Sequence, residues 1–171
     1  MKTAGSLLLI FGALLLSGFQ TATWSTYTSL EGHFSISFPS AEPTITSQKV
    51  PVDDIEYLMH MIYAGPDNGF TYMIAWTDKS AHFPDKTVKQ FLEGSRDGSI
   101  SNIKGTNVVT EKIVTTGSQP YIEYTYNADK LKGKTRIYLI NKVQYTILVL
   151  SENKTNFTAT ANKFIRSFSH N

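Results

Sequence analysis

The chain has 171 residues, no cysteine, sixteen lysines and arginines against fourteen acids, and a formal net charge of +2. Without cysteine there is no thiol nucleophile, no disulfide, no thiolate zinc site and no cysteine-held iron–sulfur cluster. The near balance of charge argues against a nucleic-acid binder, which carries a strong basic excess.

The N-terminus reads as a secretory signal peptide over residues 1–22. Lys2 supplies a positive start, Leu7–Leu16 an apolar block, and Ser17–Thr23 a small and polar run. The apolar block from Ala4 to Phe19 is shorter than the ~20 residues a membrane span needs. Gly18 and Ala22 are the two candidate cleavage positions, each with a poor partner two residues earlier. The expectation is a secreted or periplasmic protein with no stable membrane span after cleavage. A lipid anchor on an N-terminal cysteine is excluded by chemistry. Residues 23–171 form one domain. At roughly 150 residues such a domain buries about 70% of its unfolded surface, enough to fold without disulfides.

In chain order, Trp24–Thr28 reads as a first strand and Leu30-Glu31-Gly32 as its turn. From His33 to Phe38 the pattern alternates, with Phe34, Ile36 and Phe38 on one face. Pro39 and Pro43 end that strand and start a loop. Ile55–Ala64 is a long strand apolar on both faces: Ile55, Tyr57, Met59, Met61 and Tyr63 on one, Leu58 and Ile62 with Glu56 and His60 on the other. Pro66-Asp67-Asn68-Gly69 turns the chain, and Phe70–Trp76 returns as the second arm of a hairpin. Asp85 is placed to cap a helix running to Asp97, with Val88, Phe91 and Leu92 on its apolar face and a weaker turn through Ile100 and Ile103. Val108–Thr115, Tyr121–Asn127, Lys134–Ile140 and Gln144–Leu150 follow as strands, the last three as an antiparallel meander. Phe157, Ala161, Phe164, Ile165 and Phe168 form a helical stripe, with Lys163, Arg166 and His170 towards its C-terminal end. Strands with two amphipathic helices make an α+β fold, an antiparallel sheet flanked by helices.

Chemistry is sparse. The serine elbow Gly-x-Ser-x-Gly does not occur. His33, His60, His82 and His170 are isolated. His82 stands near Asp85, and an acidic cluster of Asp53, Asp54 and Glu56 lacks the glycine-turned loop of a calcium site. Neither metal nor other cofactor is expected, and nucleotide-binding glycine loops are absent. Glu56, Glu111 and Glu123 are the strand carboxylates to check for hydrolase chemistry. Glu123 precedes the Lys132, Lys134, Arg136 run, and a cross-strand ion pair is its simpler explanation.

Two features rise above this background. Lys130, Lys132, Lys134 and Arg136 recur at period two on one face of a hairpin, with Tyr138 continuing that face. They are candidates for docking an anionic partner, or a charged strand that resists aggregation. Tyr57, Met59, Met61 and Tyr63, with Tyr72 and Trp76 on the paired strand, are candidates for lining a ligand cleft, or the buried face of a sheet.

The segment Gly32-His33-Phe34-Ser35-Ile36-Ser37-Phe38-Pro39, with Pro43 after it, resembles the opening of small exported bacterial proteins of the Mog1/PsbP-like type. The middle helix, the tyrosine-rich meander and the terminal helix with Phe164, Ser167 and Phe168 fit the same plan. The resemblance implies a central antiparallel sheet in an α/β/α sandwich, and a role as an accessory or interaction protein. Photosystem-associated subunits and a small-GTPase partner belong to that group. It transfers no catalytic residue. The expectation is therefore a non-enzymatic exported domain that docks a partner protein or envelope component. The alternatives are a small-molecule carrier with an apolar cleft and, behind it, a carboxylate hydrolase.

Overall fold

The computed structural model describes residues 23–39, 42–52, 55–67, 69–79, 86–101, 103, 106–152 and 155–171, except the side chains of Val52 and Asp67. Residues 1–22, expected to be a signal peptide, and Asp53, Asp54, His82 and Asp85 lie outside the described residues.

The described residues form two antiparallel sheets and two helices. The smaller sheet holds β1 (Trp24–Ser29), β2 (Phe34–Pro39) and β10 (Ser169–His170) in the order β1-β2-β10. The larger holds β3 (Thr44–Val52), β4 (Ile55–Asp67), β5 (Phe70–Asp78), β6 (Thr106–Val114), β7 (Tyr121–Ala128), β8 (Leu131–Ile140) and β9 (Val143–Ser151). Its order is β3-β4-β5-β9-β8-β7-β6. The helices are α1 (Val88–Ser101) and α2 (Phe157–Arg166).

Alternation along the strands builds a core on each face of the larger sheet. On one face Ile62, Tyr72, Ile74, Trp76, Tyr138, Tyr145, Ile147 and Val149 pack against Phe34, Ile36 and Phe38 of β2 and against Phe157, Ala161, Phe164 and Ile165 of α2. On the other, Ile122, Tyr124, Tyr126, Ile137 and Leu139 pack against Phe91 and Leu92 of α1. Neighbouring residues of β8 thus serve opposite cores, which is why that strand is apolar at consecutive positions. Tyr126 lies against Gly133, where a Cβ would collide with its ring. Burial pushes the Tyr126 phenol up to about 12. The two-residue turn Asn141-Lys142, with both residues at positive φ, closes β8 onto β9.

Three expectations change. The stretch after Pro43 is a strand, β3, rather than a loop. It pairs with β4 in unbroken register from Thr44↔Tyr63 to Val52↔Ile55. Its residues 44–49 are exposed, so it lacks the apolar alternation that marks a buried strand. Helix α1 begins at Val88, with Thr87 capping it in a reciprocal box. The Thr87 N–H donates to Gln90 Oε1 at 3.0 Å and the Gln90 N–H to Thr87 Oγ1 at 3.2 Å. Helix α2 stops before Phe168. The Ser167 hydroxyl donates to the Phe164 carbonyl at 2.7 Å and accepts the Ser37 N–H at 3.0 Å. Phe168 remains buried as a loop residue, and His170 pairs with Phe34 in β10 rather than ending the helix.

Candidate functional site

The basic row lies on the face of the sheet that carries α2. Glu123 sits opposite Arg136 in the β7–β8 register. It accepts from Lys134 Nζ at 2.8 Å and from Arg136 Nε at 2.7 Å. Lys134 also donates to Asn162 of α2 at 2.7 Å, and Arg136 to the Tyr138 hydroxyl at 2.8 Å. The Arg136 guanidinium lies over Tyr121, and Lys132 over Phe157. Burial alone would raise the Glu123 carboxyl, but the hydrogen bond from Lys134 and the charge of Arg136 outweigh it and hold the group below the usual carboxylate range. A general acid needs the opposite shift. Three of the four cations are thus engaged within the molecule, while Lys130 stands at the exposed β7–β8 turn. Glu111 pairs with Arg96, and Glu56 with Lys49 at 2.7 Å, so each of the three candidate glutamates is engaged by a cation.

The six cleft candidates divide between the two faces. Register pairs Tyr63 with Met73 and Met61 with Ala75, but Tyr72 with Ala64 and Trp76 with His60. Tyr57, Met59, Met61 and Tyr63 therefore share the face that carries α1. Tyr72 and Trp76 belong to the opposite, aromatic core, where Tyr72 packs on Trp24 and Phe164. Period two fixes which residues of one strand go together, but only cross-strand register decides how two strands combine. Tyr57 is buried under Lys79, whose ammonium stands 3.9 Å above its ring and whose pKa burial lowers. Tyr63 is exposed.

Of the six, only Tyr57 and Trp76 line the cleft of this region, which lies beyond the α2-side core. It has a volume of about 660 Å³ and opens between the β1–β2 turn and the ends of β4, β5 and β9. Glu31, His33, Leu58, His60, Trp76 and Asp78 are among its lining residues. His60 stacks on Trp76 with ring centres 4.9 Å apart and planes 12° from parallel. Its Nδ1 lies 2.9 Å from Ser47 Oγ, and its Nε2 lies 3.6 Å from Glu31 Oε1. Ser, His and Glu together have the composition of a hydrolytic triad. Glu31, however, stands beyond hydrogen-bond distance, and Ser47 is on an extended edge strand rather than a strained turn. The arrangement orients the imidazole and links β3, β4 and the β1–β2 turn. The sequence concealed it because Ser47 lies on the unforeseen strand β3 and the partners of His60, Ser47 and Glu31, are thirteen and twenty-nine residues from it. Among the described residues, no three His, Asp or Glu side chains converge to hold a metal, and no helix is long and apolar enough to cross a membrane.

No family model matches the chain, and no curated protein is similar to it in sequence. Among solved structures it is similar to cyanobacterial PsbP (CyanoP) from Synechocystis sp. PCC 6803. The identity is 12%, with a TM-score of 0.59, over 90% of this chain and 96% of that one. A protein of unknown function from Pseudomonas aeruginosa aligns at 12% identity and TM-score 0.43, over 75% of this chain and 82% of that one. The chain has the PsbP-like α+β fold that its ordering of elements implied.

Proposed function

We propose that this chain is an exported, non-enzymatic binding domain that docks a partner protein or envelope component through the cleft at the β1–β2 turn. The observation that supports this is where apolar surface remains uncovered. Leu30 is 86% exposed beside the lining residue Glu31, Leu58 is 50% exposed on the cleft wall, and Ile45 is 57% exposed on the same face of β3. Exposed apolar side chains gathered at a concave site mark an interaction surface. The basic row is a weaker docking candidate, because Lys132, Lys134 and Arg136 already engage Phe157, Glu123, Asn162 and Tyr138. Export rests on the signal-like segment over residues 1–22. The test places a photoreactive side chain at position 58 of the full chain in its own host, with position 109 on β6 as control. Crosslinking to a different macromolecule from position 58 but not 109 is the expected result. No adduct, or equal adducts from both positions, overturns the reading.

A small-molecule carrier is the second reading, and the cleft volume favours it, being within the roughly 300–1,000 Å³ of small-ligand sites. Native mass spectrometry of protein isolated from its host distinguishes the two. A bound mass of small-molecule size, lost on denaturation, supports the carrier, and a bare chain removes it.

A further inference from the structure

The two outer strands of the larger sheet, β3 and β6, are protected unequally against pairing with another chain. In β6 the register shifts between Val108 and Thr110, and Glu111 and Lys112 occupy its middle. Irregularity and charge of this kind discourage edge pairing. In β3 the register with β4 is unbroken, and its outer side has no strand partner among the described residues. Its one charged residue, Lys49, is neutralised by Glu56 on the neighbouring strand.

We propose that β3 is a contact surface for a second copy of this chain, whose own β3 adds antiparallel across a two-fold axis at Ser47. Two prolines set the register. Proline has no N–H to give to a ladder, and Pro43 and Pro51 bound the run from Thr44 to Val50. The midpoint of that run is Ser47, so self-pairing about Ser47 uses every residue between the prolines. Thr44 then faces Val50, Ile45 faces Lys49, and Thr46 faces Gln48. Each lysine lies beside the apolar side chain of the other copy, and no like charges oppose. An axis at Lys49 would instead set the two ammonium groups against each other and bring Pro51 into the ladder. The exposed Ile45 gains a neighbour in the lysine stem, and Thr46 and Gln48 can hydrogen-bond across the axis. A second copy suits this edge because the same patch must complement itself, as a two-fold interface requires. The proposal rests on the edge of the sheet and not on what occupies the cleft.

The absence of cysteine allows a direct test on the protein expressed from its full sequence. Residues facing each other across an antiparallel pair have Cα atoms roughly 4.5–5.5 Å apart, within the range a disulfide spans. Ser47→Cys should therefore form a covalent homodimer on mild oxidation, and Val109→Cys on β6 should not. Wild-type protein should sediment as a dimer across a concentration series, and Ser47→Lys as a monomer with an unchanged circular dichroism spectrum. A wild-type monomer at every concentration, together with no Ser47→Cys homodimer, overturns the proposal. So does equal crosslinking of both cysteine variants, or crosslinking of Ser47→Cys only to a different polypeptide. None of these results decides the position-58 test of the cleft.

Discussion

The meander β9-β8-β7 and the hairpin β3-β4 belong to one sheet, yet they differ in what covers them. In the meander both faces are closed. Ile137 is buried under α1 on one side and Ile147 under α2 and β2 on the other. Its Lys132, Lys134 and Arg136 are spent on Glu123 and on aromatic rings. In the hairpin, Ile45, Leu58 and Tyr63 remain exposed, and the ion pair Lys49–Glu56 stands in solvent. The same alternating chemistry thus yields a core where helices lie on it and an exposed apolar surface where they do not. Charge patterning alone pointed to the basic row. Coverage points to the hairpin and its cleft.

The comparison can be broken first at the core. Phe164→Ala should cost about 3–5 kcal/mol, because Phe164 is fully buried against Trp24, Phe38 and Tyr72. Urea unfolding followed by circular dichroism measures it, and a loss below about 1 kcal/mol would mean that α2 does not close this face. Glu123→Gln should cost roughly 1.5–3 kcal/mol, the worth of hydrogen bonds to charged groups, since Lys134 and Arg136 lose their shared carboxylate. It should also change the acid limb. The folded carboxyl titrates below its unfolded value, so its contribution is complete above about pH 4.3 and is lost as pH falls through the lower folded value. Wild-type stability should fall more steeply than that of the variant over this window, and parallel curves would contradict the assignment. The smallest effect belongs to the hairpin. Leu58→Ser should change stability by no more than about 0.5 kcal/mol while weakening docking at the cleft. A large loss of stability would place Leu58 in the core and return the hairpin to the meander's class.

Most of the fold was legible from residue order. The strand from Phe34 to Phe38, the long strand from Ile55, the meander and the terminal helical stripe all follow from period-two and period-3.6 placement of apolar side chains. The exceptions share a cause. Strand β3 is exposed along residues 44–49, so burial imposes no pattern on it. Phe168 and His170 continue a helical spacing past the point where Ser167 ends the helix. The site was less legible. His60 looked isolated because its neighbours come from β3, from β5 and from the β1–β2 turn. Tyr72 and Trp76 seemed companions of Tyr57 until register put them on the other face.

By itself the sequence determined the α+β class, the apolar faces that each element must bury, and the absence of any thiol chemistry. These depend on residue type and local spacing alone. Tertiary structure decided which faces meet, which charges cancel and which apolar residues stay uncovered. Those outcomes depend on strand register and on where the helices lie, and both are set by contacts between residues far apart in the chain.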